Sequence, residues 1–321
     1  MILTITLNPL LERRFTFEKI NPDPGNRNGK KELKAGGKGI NVSRQLNNLE
    51  TDNLAFTFLG GNNGKVLKDI LNNEGIKFTS VRTENETRES AVIIEKSSDK
   101  ISSYFEQNSS ISENEVEEFK SKLDKMIQNC EIVVFSGSSP CKETNSIFPF
   151  GIKSANRYDK ISICDTYGEH LIDCINCGPT ILHNNIKETE ESLNCDLSSQ
   201  DKIIEHLKFL YSKNIKQSFI TNGSKDSFCS NFDYYYRVKN PEIKTIDSTG
   251  SGDIFVAAIA YSLHNNYKFE ESLLLASSLG LANSLRFDAA NVSPEKSGDW
   301  KDKIVIEPVG KKMKILDVTP R

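Results

Sequence analysis

The chain of 321 residues contains no apolar run near the ~20 residues that a membrane-spanning helix requires. No basic-then-apolar leader is visible, and the opening MILTITLNP reads as an ordinary first strand running into a turn. A spanning helix is excluded by these features, and a cytoplasmic setting is expected. An excess of one charge is also missing, because 41 Lys and Arg stand against 44 Asp and Glu for a net charge of -3. No general pull toward nucleic acid or an anionic membrane follows, although a local anion site remains compatible with this balance. There is no tandem repeat and no linker long enough to divide the chain, so one domain over residues 1–321 is expected. The seven cysteines are an odd number scattered through strand-like and helix-like stretches, which argues against a disulfide framework. Cys174 and Cys177 have a CxxC spacing, with Cys164 and His170 nearby. One such pair inside a helical stretch is weak ground for zinc or redox chemistry.

What the chain does contain is a regular alternation of strand and helix patterns. ILTIT predicts a strand, GKGINVSRQLNNL a helix that can bury Ile40, Val42 and Leu46, and LAFTFLG a second strand. NGKVLKDILNNEG carries Val66, Leu67, Ile70 and Leu71 at helical intervals and stops at Gly75. Ser112 and Glu115 can form a capping box ahead of a helix burying Val116, Phe119, Leu123 and Ile127. EIVVFSG, ISICD, TILHN and QSFITNG then supply further strands, with a helix over SQDKIIEHLKFLYSKN. This rhythm predicts an α/β fold, a doubly wound sheet with helices on both faces. Residues 11–34 and 86–107 break it, being polar and partly alternating, and AVIIEKSSDKISSYFE reads as a hairpin turning at SSDK. Together they are expected to form a small antiparallel β layer, a lid over the carboxyl ends of the main strands.

The segment STGSGD, residues 248–253, runs directly into the apolar IFVAAIAYSL. Gly250, Ser251 and Gly252 allow close approach of backbone, and a helix starting there would direct several free N–H groups at one point suited to phosphate oxygens. A carboxylate in the same turn repels phosphate unless it accepts a proton from an attacking hydroxyl. Asp253 is therefore a candidate general base, the other reading being a simple helix cap.

AGGKGINVSRQL, SGSSP, HNNIKE, TNGSKD and STGSGD, in that order, resemble the ribokinase-like PfkB carbohydrate kinases, more narrowly the 1-phosphofructokinase and tagatose-6-phosphate kinase branch. The likeness extends from TLNP to GLANSLRFDAANV. It implies transfer of the ATP γ-phosphoryl group to a sugar hydroxyl, with Asp253 as base and Gly250, Ser251 and Gly252 as the anion hole. Gly36, Gly37, Lys38 and Asn41 would line the sugar site, with Arg88 and Ser90 toward the phosphate already on the sugar and Gly137 and Ser138 along the acceptor pocket. Asn185, Glu188, Thr221, Gly223 and Asn283 would serve ATP, with Glu188 holding Mg2+ through water. The implied acceptor is a ketohexose phosphate, with fructose 1-phosphate first and tagatose 6-phosphate as the alternative. A homodimer through the lid edges is also implied.

Several positions depart from the family pattern. Glu12 stands where an aspartate is usual, Ser90 replaces an asparagine, Ser139 a leucine, Ser251 an alanine and Asp226 a glycine, and His183 and Asn184 replace a lysine and a proline. Asp226 is expected either to strain its turn or to alter nucleotide affinity, and Arg13 and Arg14 are read as neighbouring charges on a solvated edge. These departures keep open a degenerate protein that binds or senses sugar phosphate.

Overall fold

The computed structural model describes residues 1–21, 25–288 and 290–309, so residues 22–24 of the expected lid and 310–321 of the expected domain lie outside the described residues. The first strand, β1 (Ile2–Thr6), is buried along its whole length. Leu3 and Ile5 enter one apolar cluster with Phe119, Phe148 and Leu207, whereas Ile2 enters another with Val42, Ile254 and Leu279. Successive side chains of a strand leave by opposite faces, so β1 must lie in a sheet covered on both sides.

The chain continues through β2 (Leu10–Phe17), β3 (Lys30–Gly36), α1 (Lys38–Asn48), β4 (Asn53–Gly60), α2 (Gly61–Asn73), β5 (Phe78–Thr83), β6 (Glu89–Glu95), β7 (Lys100–Phe105) and α3 (Glu113–Gln128). It proceeds as β8 (Ile132–Ser136), α4 (Ile147–Arg157), β9 (Ile161–Asp165), α5 (Leu171–Asn176), β10 (Ile181–Asn185), α6 (Ile186–Leu193) and α7 (Gln200–Ser212). The last part is β11 (Gln217–Thr221), β12 (Ser227–Asn231), β13 (Tyr234–Lys239), α8 (Ser251–His264), α9 (Phe269–Ser284), α10 (Gly298–Lys301) and β14 (Val305–Val309).

Ten strands form the main sheet in the order β14-β13-β12-β11-β10-β9-β8-β1-β4-β5. The pairings from β11 through to β5 are all parallel, in keeping with the expected α/β fold. Helices α3, α4, α5 and α7 cover one face, and α1, α8 and α9 cover the other. The antiparallel extension β12, β13 and β14 was not anticipated. Its strands are short and partly exposed, so no continuous apolar run marks them.

Ser112 caps α3 as expected, accepting from Glu115 N while the Glu115 carboxylate accepts from Ser112 N at 2.7 Å. Helix α8 is buried at every position from Asp253 to Ala260, because it packs on the sheet with α1 and α9 beside it. A helix enclosed in this way needs no polar face, which explains the unbroken apolar run.

The polar stretches form a separate four-stranded sheet in the order β3-β2-β6-β7. Strands β6 and β7 are a hairpin, whose turn is a short 3-10 helix closed by Asp99 at φ 52°. The layer is not wholly antiparallel, because β2 and β6 run side by side in the same direction. Between them the chain returns to the main sheet as β4 and β5, the long crossover that a parallel pair requires.

Candidate active site

A cleft of about 870 Å³ lies at the carboxyl ends of the parallel strands, where open α/β sheets bind ligands. Its floor comes from residues at or just beyond the ends of β1, β8, β10 and β11, including Asn8, Gly137, Ser138, Asn185 and Gly223. The small sheet contributes Glu12, Arg14, Lys34 and Val92 to the opposite wall.

At one end, Gly250 takes φ 79° immediately before α8, a left-handed conformation that a side chain would penalise. Ser251 N–H turns back to Ser248 O at 3.1 Å, and Ile254 N–H to Gly250 O at 2.9 Å. The N–H groups of Gly252 and Asp253 then have no acceptor among the described residues, and both residues line the cleft, leaving these donors available for an anion. A Cβ at Gly252 would lie 3.2 Å from His183 Cε1, so the bare backbone also keeps this corner open.

Asp253 lies in the same turn and is only 4% exposed. Its Oδ2 accepts from Asn41 Nδ2 at 2.7 Å, while Oδ1 has no protein donor among the described residues. Burial pushes the carboxyl up to about 7, Lys38 and the Asn41 bond oppose that rise, and Asp165 and Glu188 add to it. The group is placed to exchange protons near neutral pH.

Lys38 begins α1 directly after Gly37, whose φ of 129° lets the chain turn in close against Thr6. Lys38 Nζ lies 2.8 Å from Glu188 Oε1 and 3.6 Å from Asp165 Oδ1, and 4.8 Å from the centre of the Tyr167 ring. Burial disfavours its charge, but Asp165, Glu188 and Asp253 outweigh that and hold the ammonium above its ordinary pKa. Asp165 is fully buried, and burial alone would raise it. Lys38, His183 and Ser136 instead hold it well below the usual carboxylate range. Ser136 Oγ donates to Asp165 Oδ2 at 2.8 Å, and His183 Nδ1 lies 2.9 Å from Oδ1. Asp165 and Tyr167 were missed by sequence reasoning; the available signal was their place at the end of a buried parallel strand.

Asn185 and Glu188 meet through a capping box at α6: Asn185 Oδ1 accepts from Glu188 N at 2.8 Å, and Glu188 Oε2 from Asn185 N at 3.4 Å. Both line the cleft, as do Thr221 and Gly223. No group of three or more His, Cys, Asp or Glu suited to a metal occurs among the described residues. Glu188 already contacts Lys38 and a backbone N–H, so this donor set suits a hydrated ion carried by phosphates rather than an all-protein cage.

At the far end, Arg88 donates to Asn8 O at 3.4 Å, and its buried Nε has no partner. Burial lowers its pKa and no carboxylate faces it, so a guanidinium with spare donor capacity borders the cleft. Asn8 Nδ2, also missed from sequence, donates to Ser138 Oγ at 3.0 Å and ties this end to the β8 loop. Arg13 pairs with Glu89 at 2.6 Å and points away, but Arg14 is 5% exposed, pairs with Glu12 and donates to Phe287 O at 2.7 Å. Reading Arg14 as a solvated charge is thus corrected, since its own strand buries it against the loop after α9.

Of the expected site residues, Gly36, Gly37, Lys38, Asn41, Arg88, Gly137, Ser138 and the 250–253 turn meet along one cleft. Ser90 and Asn283 do not line it. Ser90 is buried with an unpartnered Oγ, whereas Asn283 Nδ2 donates to Thr249 O and Ser251 Oγ, both at 2.9 Å. Asn283 therefore braces the anion-binding turn. Asp226 shows no positive φ and pairs with Arg237 of β13 at 2.6 Å, so the expected strain is absent. Asn184 Nδ2 donates to Thr166 O, fixing the loop after β9. Cys174 and Cys177 are free thiols, the first within the core.

A family model for the pfkB family carbohydrate kinases matches residues 5–296. The chain belongs to this family. Tagatose-6-phosphate kinase of Staphylococcus epidermidis is 30% identical over 92% of this chain and 96% of its own length. A candidate 1-phosphofructokinase of Thermotoga maritima superposes with a TM-score of 0.87 at 24% identity, over 96% of this chain and 99% of that one. Phosphofructokinase-2 of Escherichia coli, in complex with potassium, superposes with a TM-score of 0.85 at 23% identity, over 94% and 98%. The protein is accordingly a phosphotransferase, an ATP-dependent sugar-phosphate kinase of the PfkB family. Among the described residues no helix is long and apolar enough to cross a membrane.

Proposed function

We propose that the chain phosphorylates a ketohexose phosphate, with tagatose 6-phosphate now ahead of fructose 1-phosphate as the acceptor. A relative that is 30% identical is a tagatose-6-phosphate kinase, which supports the alternative acceptor over the first choice of fructose 1-phosphate. The observation that carries the mechanism is Asp253, buried with one carboxylate oxygen free beside the unpaired N–H groups of its own helix.

In this reading Asp253 Oδ1 takes the proton of the acceptor hydroxyl as oxygen attacks the γ-phosphorus and the bond to ADP breaks. The N–H groups of Gly252 and Asp253 receive the negative charge of the group in flight. Gly36, Gly37 and Asn41 border the sugar, and Lys38 keeps positive charge between the carboxylates and the phosphates. Arg88, with only one guanidinium nitrogen bonded to the protein, turns to the phosphate the sugar already carries, with Arg14 holding Glu12 near the sugar hydroxyls. Asn185, Glu188, Thr221 and Gly223 form the nucleotide side. Mg2+, when bound, would neutralise phosphate charge, with Glu188 reaching it through water. The small sheet acts as a lid that keeps water from the γ-phosphate. Tyr104 and Phe105, more than 60% exposed on β7, are the apolar surface that a lid-edge dimer would cover.

Incubation with ATP, Mg2+ and a panel of tagatose 6-phosphate, fructose 1-phosphate, fructose 6-phosphate and the free sugars tests the reading. Phosphorus NMR should identify tagatose 1,6-bisphosphate as the preferred product. Transfer to free sugars alone, or to no member of the panel, would overturn it.

A further inference from the structure

Arg44 lies within the AGGKGINVSRQL stretch but has been given no role above, yet it contacts the group that touches Asp253. It is one helical turn beyond Asn41 on α1, and its guanidinium reaches three acceptors. Nη1 donates to Asn41 Oδ1 at 2.7 Å, Nη2 to Ala35 O at 2.7 Å, and Nε to Glu74 Oε2 at 2.9 Å. Its side chain is 13% exposed, so this fork is set in a largely enclosed place between α1, β3 and the end of α2.

An asparagine amide has two unlike ends, and which one faces a carboxylate decides attraction or repulsion. Here Nδ2 faces Asp253 Oδ2 and Oδ1 faces Arg44. A half-turn of the amide would set oxygen against the carboxylate and NH2 against a guanidinium that has only donors. Arg44 cannot reverse its role at any working pH, so it permits one orientation of Asn41. That orientation occupies Asp253 Oδ2 and leaves Oδ1 as the proton acceptor.

We infer that Arg44 is a positioning residue for the phosphoryl transfer, fixing the Asn41 amide so that Asp253 is presented with one oxygen held and one oxygen free. Glu74 and the Ala35 carbonyl anchor the fork, making a relay from the end of α2 to the base. The catalytic part of this inference rests on the function proposed above, while the relay itself does not.

The test separates those two. Asp253 is titrated in the ligand-free protein by carbon-13 NMR of its carboxyl, assigned with Asp253→Asn, in the parent protein and in Arg44→Met and Arg44→Lys. The Asn41 bond favours the charged carboxylate, so its loss should move the Asp253 midpoint upward by about half a pH unit or more in both variants. Lysine keeps the charge but not the three-way fork, so a shift in Arg44→Met with none in Arg44→Lys would assign the effect to charge and overturn the positioning role. Unmoved midpoints in folded variants would also overturn it. If Arg44→Met fails to fold, the lysine variant alone decides by the same criterion. With ATP and tagatose 6-phosphate or fructose 1-phosphate, kcat should fall roughly tenfold in both variants, and the acid limb of kcat/KM should move with the NMR midpoint. Absence of turnover in the parent protein would defeat the functional reading and leave the titration result standing.

Discussion

On the main-sheet wall of the cleft, Asp253, Asp165 and His183 each hold another side chain at 2.9 Å or less. On the small-sheet wall, Arg88 Nε has no partner and β7 leaves Tyr104 and Phe105 exposed. The small sheet reaches across the cleft through Arg14 to Phe287 O, Lys34 to Asp288 and the hairpin-tip Asp99 to Lys244 at 3.0 Å. Under the proposed function, Asp253 must meet the acceptor hydroxyl within fractions of an ångström, and its burial enforces the pairing that would hold it there. The small-sheet wall keeps free hydrogen-bonding capacity and an exposed edge, and under the proposed function its groups would exchange partners when a ligand enters.

The largest effect expected from this contrast falls on the buried wall. Asp253→Asn should lower kcat by about 10³-fold while calorimetric affinity for the sugar phosphate changes little. Retained turnover would remove the base. Next, Arg88→Met should raise KM for the sugar phosphate by roughly 10- to 100-fold with a smaller change in kcat, and thermal melting should show no loss of stability. An unchanged KM would mean that the Arg88 guanidinium faces something other than the ligand phosphate.

The pH response follows from Asp253. As a base it must be ionised, so kcat/KM should fall about tenfold per unit below a midpoint near pH 7. Its effect on stability has the opposite sense. The folded pKa is raised, so the contribution is full below the unfolded carboxylate pKa and is lost as pH rises through about 7. Asp253→Asn should therefore stabilise the fold more at pH 8 than at pH 4, by on the order of 1 to 3 kcal/mol, as urea melts would measure. No difference would mean that the carboxylate is ionised at no cost, and a difference of the other sign that folding favours its charged form.

A smaller change is expected at Gly250→Ala, which should cost about 1 kcal/mol because φ 79° excludes a Cβ from comfortable geometry. Turnover should drop along with it. Smallest of all, Lys34→Ala with Lys244→Ala should leave the melting temperature nearly unchanged, since such ties are worth little. The ratio of ATP hydrolysis to sugar phosphorylation should rise about two- to fivefold if the small sheet excludes water. An unchanged ratio would show that the weaker wall does not guard the phosphate.

The alternation of Ile2 with Leu3 and Ile5, the Ser112 capping box and the glycine turn before α8 were legible because each depends on neighbours a few residues away. The same reasoning missed β12 to β14, whose stability comes from pairing beside β11 rather than from apolar runs of their own. It also treated Glu12, Ser90 and Asp226 alike as departures from a motif. The fold separates them: Glu12 meets Arg14 at the cleft, Ser90 is buried outside it and Asp226 is tied to Arg237.

The sequence by itself determined a parallel α/β sheet and a glycine turn ahead of a buried helix with a carboxylate in its first turn, since periodicity and backbone freedom are local properties. Only the tertiary structure decided that Lys38, Asp165, Glu188 and Asp253 share one charge cluster, that Asn283 braces rather than lines the cleft, and that Arg44 governs Asn41. Protonation, hydrogen-bond direction and solvent access depend on partners far away along the chain, and folding alone brings those partners within a few ångströms.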